Sequence, residues 1–148
     1  MYGWLLIAHG LWRWVVILAG GAAVAGALWA WRRRQPWQGP SIILGRLFGI
    51  AVDIQVLMGA ALYLVFSPMT TVAMSVNGAA PRGTDMQFFG ATHALIMIAV
   101  LFAVHLSAVF VRRGHNDAAR LRRSVLCYGL TLLLLLAGVP WWRPWLRL

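Results

Sequence analysis

The stretch GWLLIAHGLWRWVVILAGGAAVAGALWAW, residues 3–31, decides the fold. It is apolar throughout except for His9 and Arg13, and Arg32-Arg33-Arg34 follow it directly. A helix needs ~20 apolar residues to cross a bilayer, so this run has length to spare. It is too long for the apolar core of a signal peptide and has no basic residue before it, which predicts a retained first span.

Three further apolar runs follow, predicting spans over residues 42–66, 86–111 and 124–140. Between them lie RRRQPWQGPS (32–41), SPMTTVAMSVNGAAPRGTD (67–85) and RRGHNDAARLRR (112–123). The first connector is broken by Pro36 and Pro40, the second by Asn77-Gly78 and Pro81, all turn-forming residues. Gly45 and Gly49 in the second span have the small-xxx-small spacing that lets helices approach closely. The expected architecture is an all-α integral membrane four-helix bundle forming a single domain over residues 1–148.

Composition agrees. Hydrophobic residues make up 61% of the chain and charged residues 11%, where a soluble domain carries roughly a quarter charged. The net charge of +10 comes from arginine alone, with no lysine present. Because these arginines cluster between apolar runs, topology explains them and nucleic-acid binding does not. A single cysteine, Cys127, excludes an internal disulfide and any cysteine-based zinc or iron–sulfur site.

Arginine placement predicts orientation. Arg32, Arg33, Arg34, Arg46, Arg112, Arg113, Arg120, Arg122 and Arg123 fall on one side, and Arg82, Arg143 and Arg147 on the other. The positive-inside rule then puts connectors 32–41 and 112–123 in the cytoplasm, and puts both termini and connector 67–85 on the outer, periplasmic side. Tryptophans divide similarly: Trp4, Trp141, Trp142 and Trp145 mark an outer belt and Trp29, Trp31 and Trp37 an inner one.

Ionisable residues inside spans are expensive to keep there and are functional candidates for that reason. At a rise of about 1.5 Å per residue, His9 and His93 both lie roughly 8–10 Å in from the outer ends of two parallel spans. Arg13 is one turn below His9 on the same face. Asp53, entering from the opposite direction, lies near enough in depth to suggest a buried Arg13–Asp53 pair. That pair reads either as a proton or quinone-head-group site or as a structural ion pair fixing the packing of two spans. His105 is twelve residues after His93 and about 120° around the helix, which points it elsewhere, toward Cys127 and Tyr128.

Two readings of His9 and His93 stand. In one they are the axial ligands of a single haem b, with Arg82, Arg143 and Arg13 as propionate partners and Ala8, Gly10, Gly90 and Ala94 making room for the ring. In the other they are neutral histidines hydrogen-bonded to Thr92, Gln87 or backbone carbonyls. Copper(I) on Met69, Met74 and Met86 lacks a Met-x-Met cluster, and methionine in apolar sequence is an ordinary filler. His115 reads as solvated. Hydrolase, metalloprotease and phosphate-loop signatures are missing, so the chain reads as a carrier or structural subunit before an enzyme.

The runs His9-Gly10-Leu11-Trp12-Arg13-Trp14, Asp53-Ile54-Gln55-Val56-Leu57-Met58-Gly59, Leu62-Tyr63, His93-Ala94-Leu95-Ile96-Met97 and Pro140-Trp141 resemble a group of small bacterial four-span membrane proteins loosely labelled cytochrome-b-like. Histidine stands in that group where this chain has Asp53, and proline often where it has Ala94. The resemblance implies a haem b and an electron carrier of the bacterial inner membrane, with lipid and quinone as partners. The alternative expectation is a non-catalytic accessory subunit docked on other subunits of a respiratory or photosynthetic membrane complex.

Overall fold

The computed structural model describes residues 2–66 and 88–142. It is all-helical, with no strand among those residues. The four helices are α1 (Tyr2–Arg32), α2 (Pro40–Ala61), α3 (His93–Arg112) and α4 (Asp117–Ala137). A π-helical turn, Leu62–Phe66, prolongs α2, and another, Phe88–Thr92, leads into α3. The expected outer connector 67–85 and the end of the chain lie outside the described residues.

Three helical segments are long and apolar enough to cross a membrane: Tyr2–Arg32, Pro40–Val65 and Phe88–Arg112. This is the pattern of a membrane protein. The fourth differs from expectation at its start. Residues 117–123 read as connector from their charge, yet α4 begins at Asp117. The Asn116 side chain caps the helix, accepting a hydrogen bond from the Ala119 amide at 2.8 Å, which satisfies one of the orphan donors of the first turn. Hydropathy locates hydrocarbon; capping locates helices. Arg120, Arg122 and Arg123 therefore ride on the first two turns of α4, and only the part beyond them is apolar.

Successive helices run antiparallel and pack around a square. α1 packs on α2 and α4, and α3 packs on α4 and α2, so α1 and α3 face each other across the bundle axis and run parallel. Small residues line much of the interior: Ala23, Ala27 and Ala30 are almost fully buried beside Val16, Val52, Val100 and Val104. Large side chains point outward, among them Leu18, Leu57, Phe102, Leu130 and Leu133. This inversion suits a solvent that is itself apolar, where close approach of small residues holds helices together.

Several interhelical polar contacts among the described residues lie inside the bundle. Ser107 on α3 and Thr131 on α4 share a buried hydroxyl hydrogen bond at 3.1 Å, and the Trp12 indole donates to the Ala51 carbonyl at 3.0 Å. Tyr63 donates to the Gly90 carbonyl, tying the two π-helical turns together. At the other end Arg120 donates to the Gly114 carbonyl at 3.0 Å and lies over the Trp37 ring. That clamp holds the short α3–α4 connection against the α1–α2 connection.

The Gly45/Gly49 pair does not act as one motif. A Cβ on Gly45 would stand 2.8 Å from the Tyr128 hydroxyl, whereas one on Gly49 would meet nothing within 4 Å. Gly20 is crowded from two sides: a Cβ there would come within 2.9 Å of both Leu132 and Phe48, and Phe48 is fully buried. Gly20→Ala is expected to lower stability by about 1–3 kcal/mol through overpacking. Gly21→Ala, where nothing lies within 4 Å, is expected to be neutral or slightly stabilising from helix propensity. Thermal unfolding of the two purified variants in detergent checks the contrast.

Candidate functional site: a histidine pair at the end of the bundle axis

α1 and α3 project His9 and His93 toward each other from opposite corners of the square. Their ring centroids are 6.4 Å apart with planes 80° to one another. Neighbouring spans are therefore not what unites the pair; two parallel helices at diagonal corners meet on the axis. Each ring is held from outside its own helix. The His93 Nδ1–H donates to the Gly138 carbonyl at 2.9 Å, just past the end of α4. The residue after α4's last turn thus fixes the tautomer of a residue on α3, and leaves Nε2 as the free lone pair.

His9 is held by Gln55 of α2. The Gln55 amide donates to the His9 carbonyl at 3.2 Å and stands 3.3 Å from His9 Nε2. The second distance is long for such a bond. Gly59, one turn further along α2, provides the space beside the ring: a Cβ there would sit 3.2 Å from His9 Cε1.

Three buried polar atoms close to this pair lack a hydrogen-bond partner among the described residues: His9 Nδ1, Arg13 Nε and Gln55 Oε1. Native interiors satisfy nearly all such atoms, so the cluster makes this a candidate site for water, an ion or a ligand. Aromatic rings close the surroundings. Phe88 and Phe89 lie 5.6 and 5.9 Å from His93, Phe88 meets Trp142, and Trp14 meets Trp141.

The other expected pair is corrected. Asp53 bonds to His105 at 2.9 Å, and Arg13 instead lies with its guanidinium 5.4 Å from the centre of the Trp14 ring. The reason is angular. Asp53 and Gln55 are two residues apart, about 200° around the helix, so the residue of α2 that faces α1 is Gln55. Asp53 is turned to the α2–α3 seam. His105, expected against Cys127 and Tyr128, lies on that same seam. Tyr128 packs instead on Phe48. The propionate candidates Arg82 and Arg143 lie outside the described residues.

Sequence reading missed the roles of Gln55, Gly59 and Gly138. Gln55 carried a signal, being an uncharged polar residue within an apolar span. The two glycines carried none, because their use depends on which helix lies opposite.

The 6.4 Å between the two ring centres is the distance to compare with shared metal ligation. A metal–nitrogen bond of about 2 Å, with roughly 1 Å more to each ring centre, sets two imidazoles on opposite faces of one metal about 6 Å apart. The carbonyl bond to His93 Nδ1 is the outer-shell contact that ligating histidines usually make. No family model, curated protein or solved structure matches the chain. Function is therefore argued from this geometry.

Gln55→Leu is expected to cost about 1–2 kcal/mol, since it removes both contacts to His9 within a buried site. Thermal unfolding in detergent measures the loss, and ¹⁵N imidazole shifts should move for His9 while those of His93 stay in place.

Proposed function

We propose that this protein is a cytochrome-b-like electron carrier of the bacterial inner membrane, holding one haem b between His9 and His93. The observation that carries the reading is the convergence of these two imidazoles on the bundle axis at 6.4 Å between centroids. His93 is already oriented by Gly138 with Nε2 free, and His9, Arg13 and Gln55 present the orphaned polar atoms of the site.

The proposed topology has four spans with both termini on the periplasmic side. In support, the arginines of α1's last turn, of α2's first turns and of α4's first turns gather at one end of the bundle, as the positive-inside rule demands of a cytoplasmic face. The histidine pair then lies near the periplasmic end, within reach of a soluble donor or of quinone in the outer leaflet.

When bound, the haem supplies one-electron transfer. The chain's own residues provide the rest. His9 and His93 would hold the group through ring nitrogens, and the Gly138 carbonyl orients the His93 ring and would raise its basicity. Phe88, Phe89, Trp14, Trp141 and Trp142 exclude water and lower the local dielectric, a setting that tunes redox potential. Arg13 stands one turn below His9 and offers a positive charge toward the acidic edge of such a ring.

Absorption spectroscopy of protein purified from haem-replete cells tests this. A Soret band and a reduced α-band are expected, each abolished by His9→Ala and by His93→Ala and retained in His105→Ala. A spectrum with neither band overturns the proposal and leaves the chain as a non-catalytic accessory subunit of a larger membrane complex.

A further inference from the structure

The bond between Asp53 and His105 lies on the outside of the bundle. Their side chains are 37% and 57% exposed, so the seam between α2 and α3 leaves the pair open where the α3–α4 contact of Ser107 with Thr131 is buried. Arg46 and Arg112 stand seven residues away along each helix, toward the basic end, which places the pair roughly 10 Å inside the arginines. At that depth the surroundings are hydrocarbon, and an ionisable pair presented to lipid is costly and is normally turned to protein or to a water-filled cavity.

The flanking surface is apolar. Ile50 and Leu57 share the Asp53 face of α2, and Phe102 and Val109 share the His105 face of α3, all of them exposed. Gly49, one turn from Asp53 toward Arg46, has open space where a Cβ would stand, a notch that permits close approach of another helix. The bond to Asp53 Oδ1 uses one nitrogen of His105, Nε2. His105 Nδ1 and the second Asp53 oxygen remain for a further partner.

We propose that this seam is the interface of a homodimer, and that the occupant of the Asp53–His105 face is the same face of a second copy. The argument is complementarity. A two-fold axis along the membrane normal brings two identical pairs together at one depth, as closed dimers require of a self-matching patch. Each carboxylate then faces the second protomer's imidazole and each imidazole the second protomer's carboxylate. Ring nitrogens and carboxylate oxygens then alternate around the four groups, donor against acceptor, with their polar atoms removed from lipid. A different partner would need its own donor and acceptor at the same depth; a second copy supplies them by symmetry. This interface stands apart from the histidine pair on the axis and does not depend on haem binding.

Disulfide trapping of the full chain in phosphatidylcholine nanodiscs, with Cys127→Ala as background, tests the interface. Phe102→Cys should form a crosslinked dimer on mild oxidation. Leu133→Cys, equally exposed on α4, should not. Adding Asp53→Asn with His105→Gln is expected to reduce the dimer at least tenfold, with helicity by circular dichroism unchanged. Gly49→Leu fills the notch without touching the pair and should reduce it similarly, which keeps the test decisive if the polar variants fail to fold. Equal crosslinking at both cysteines, a monomer at every protein-to-lipid ratio, or a dimer indifferent to these substitutions overturns the proposal. So does saturable binding of a short-chain benzoquinone at the seam of a monomer.

Discussion

Hydrocarbon offers no hydrogen bonds, and each part of this molecule answers to that constraint. Backbone groups within a bilayer must be satisfied inside their own segment, which leaves the helix as the form for each long apolar run. Side-chain polarity obeys the same limit. Ser107 and Thr131 find each other in the interior, and Trp12 finds a carbonyl of the next helix. With lipid as apolar as leucine, burial gives little reason for leucine to be inside. Much of the interior goes to alanine, valine and glycine, and many leucines face outward. Stability then rests on close van der Waals fit, of which Phe48 against Gly20 is one instance.

Against that background the two unusual polar groupings stand out for opposite reasons. His9 and His93 are inside the bundle and incompletely satisfied. Their donors and acceptors are partly used, by Gln55 and Gly138, and partly orphaned. Asp53 and His105 are satisfied by each other and open to the outside. The first grouping is the one proposed to hold a group on the axis; the second is the one proposed to meet another protein surface. Both follow from a single angular fact, that Asp53 and Gln55 sit on nearly opposite sides of α2.

Most of the helical plan was legible in the residues, because a run such as 3–31 is long, apolar and flanked by arginine, and few other structures accommodate it. With the π-helical turns 62–66 and 88–92 counted as part of them, the described bounds of the first three spans fell within two residues of those expected. The start of α4 did not, since the positive charge of residues 112–123 masked a helix begun by the Asn116 cap. Depth along a helix was also legible: a constant rise per residue places His9 and His93 level whatever their surroundings.

Azimuth was not. A single helix has no reference direction until its neighbours are known, so the chain by itself could not say which side of α2 faces α1. The tertiary arrangement decided that α1 and α3 occupy diagonal corners, that Gln55 and not Asp53 turns to His9, and that Asp53 reaches His105. It also decided that Gly138, with no side chain to announce a role, orients His93 through its carbonyl. Local physics sets where along the membrane each residue lies; only packing among the four helices sets what it meets there.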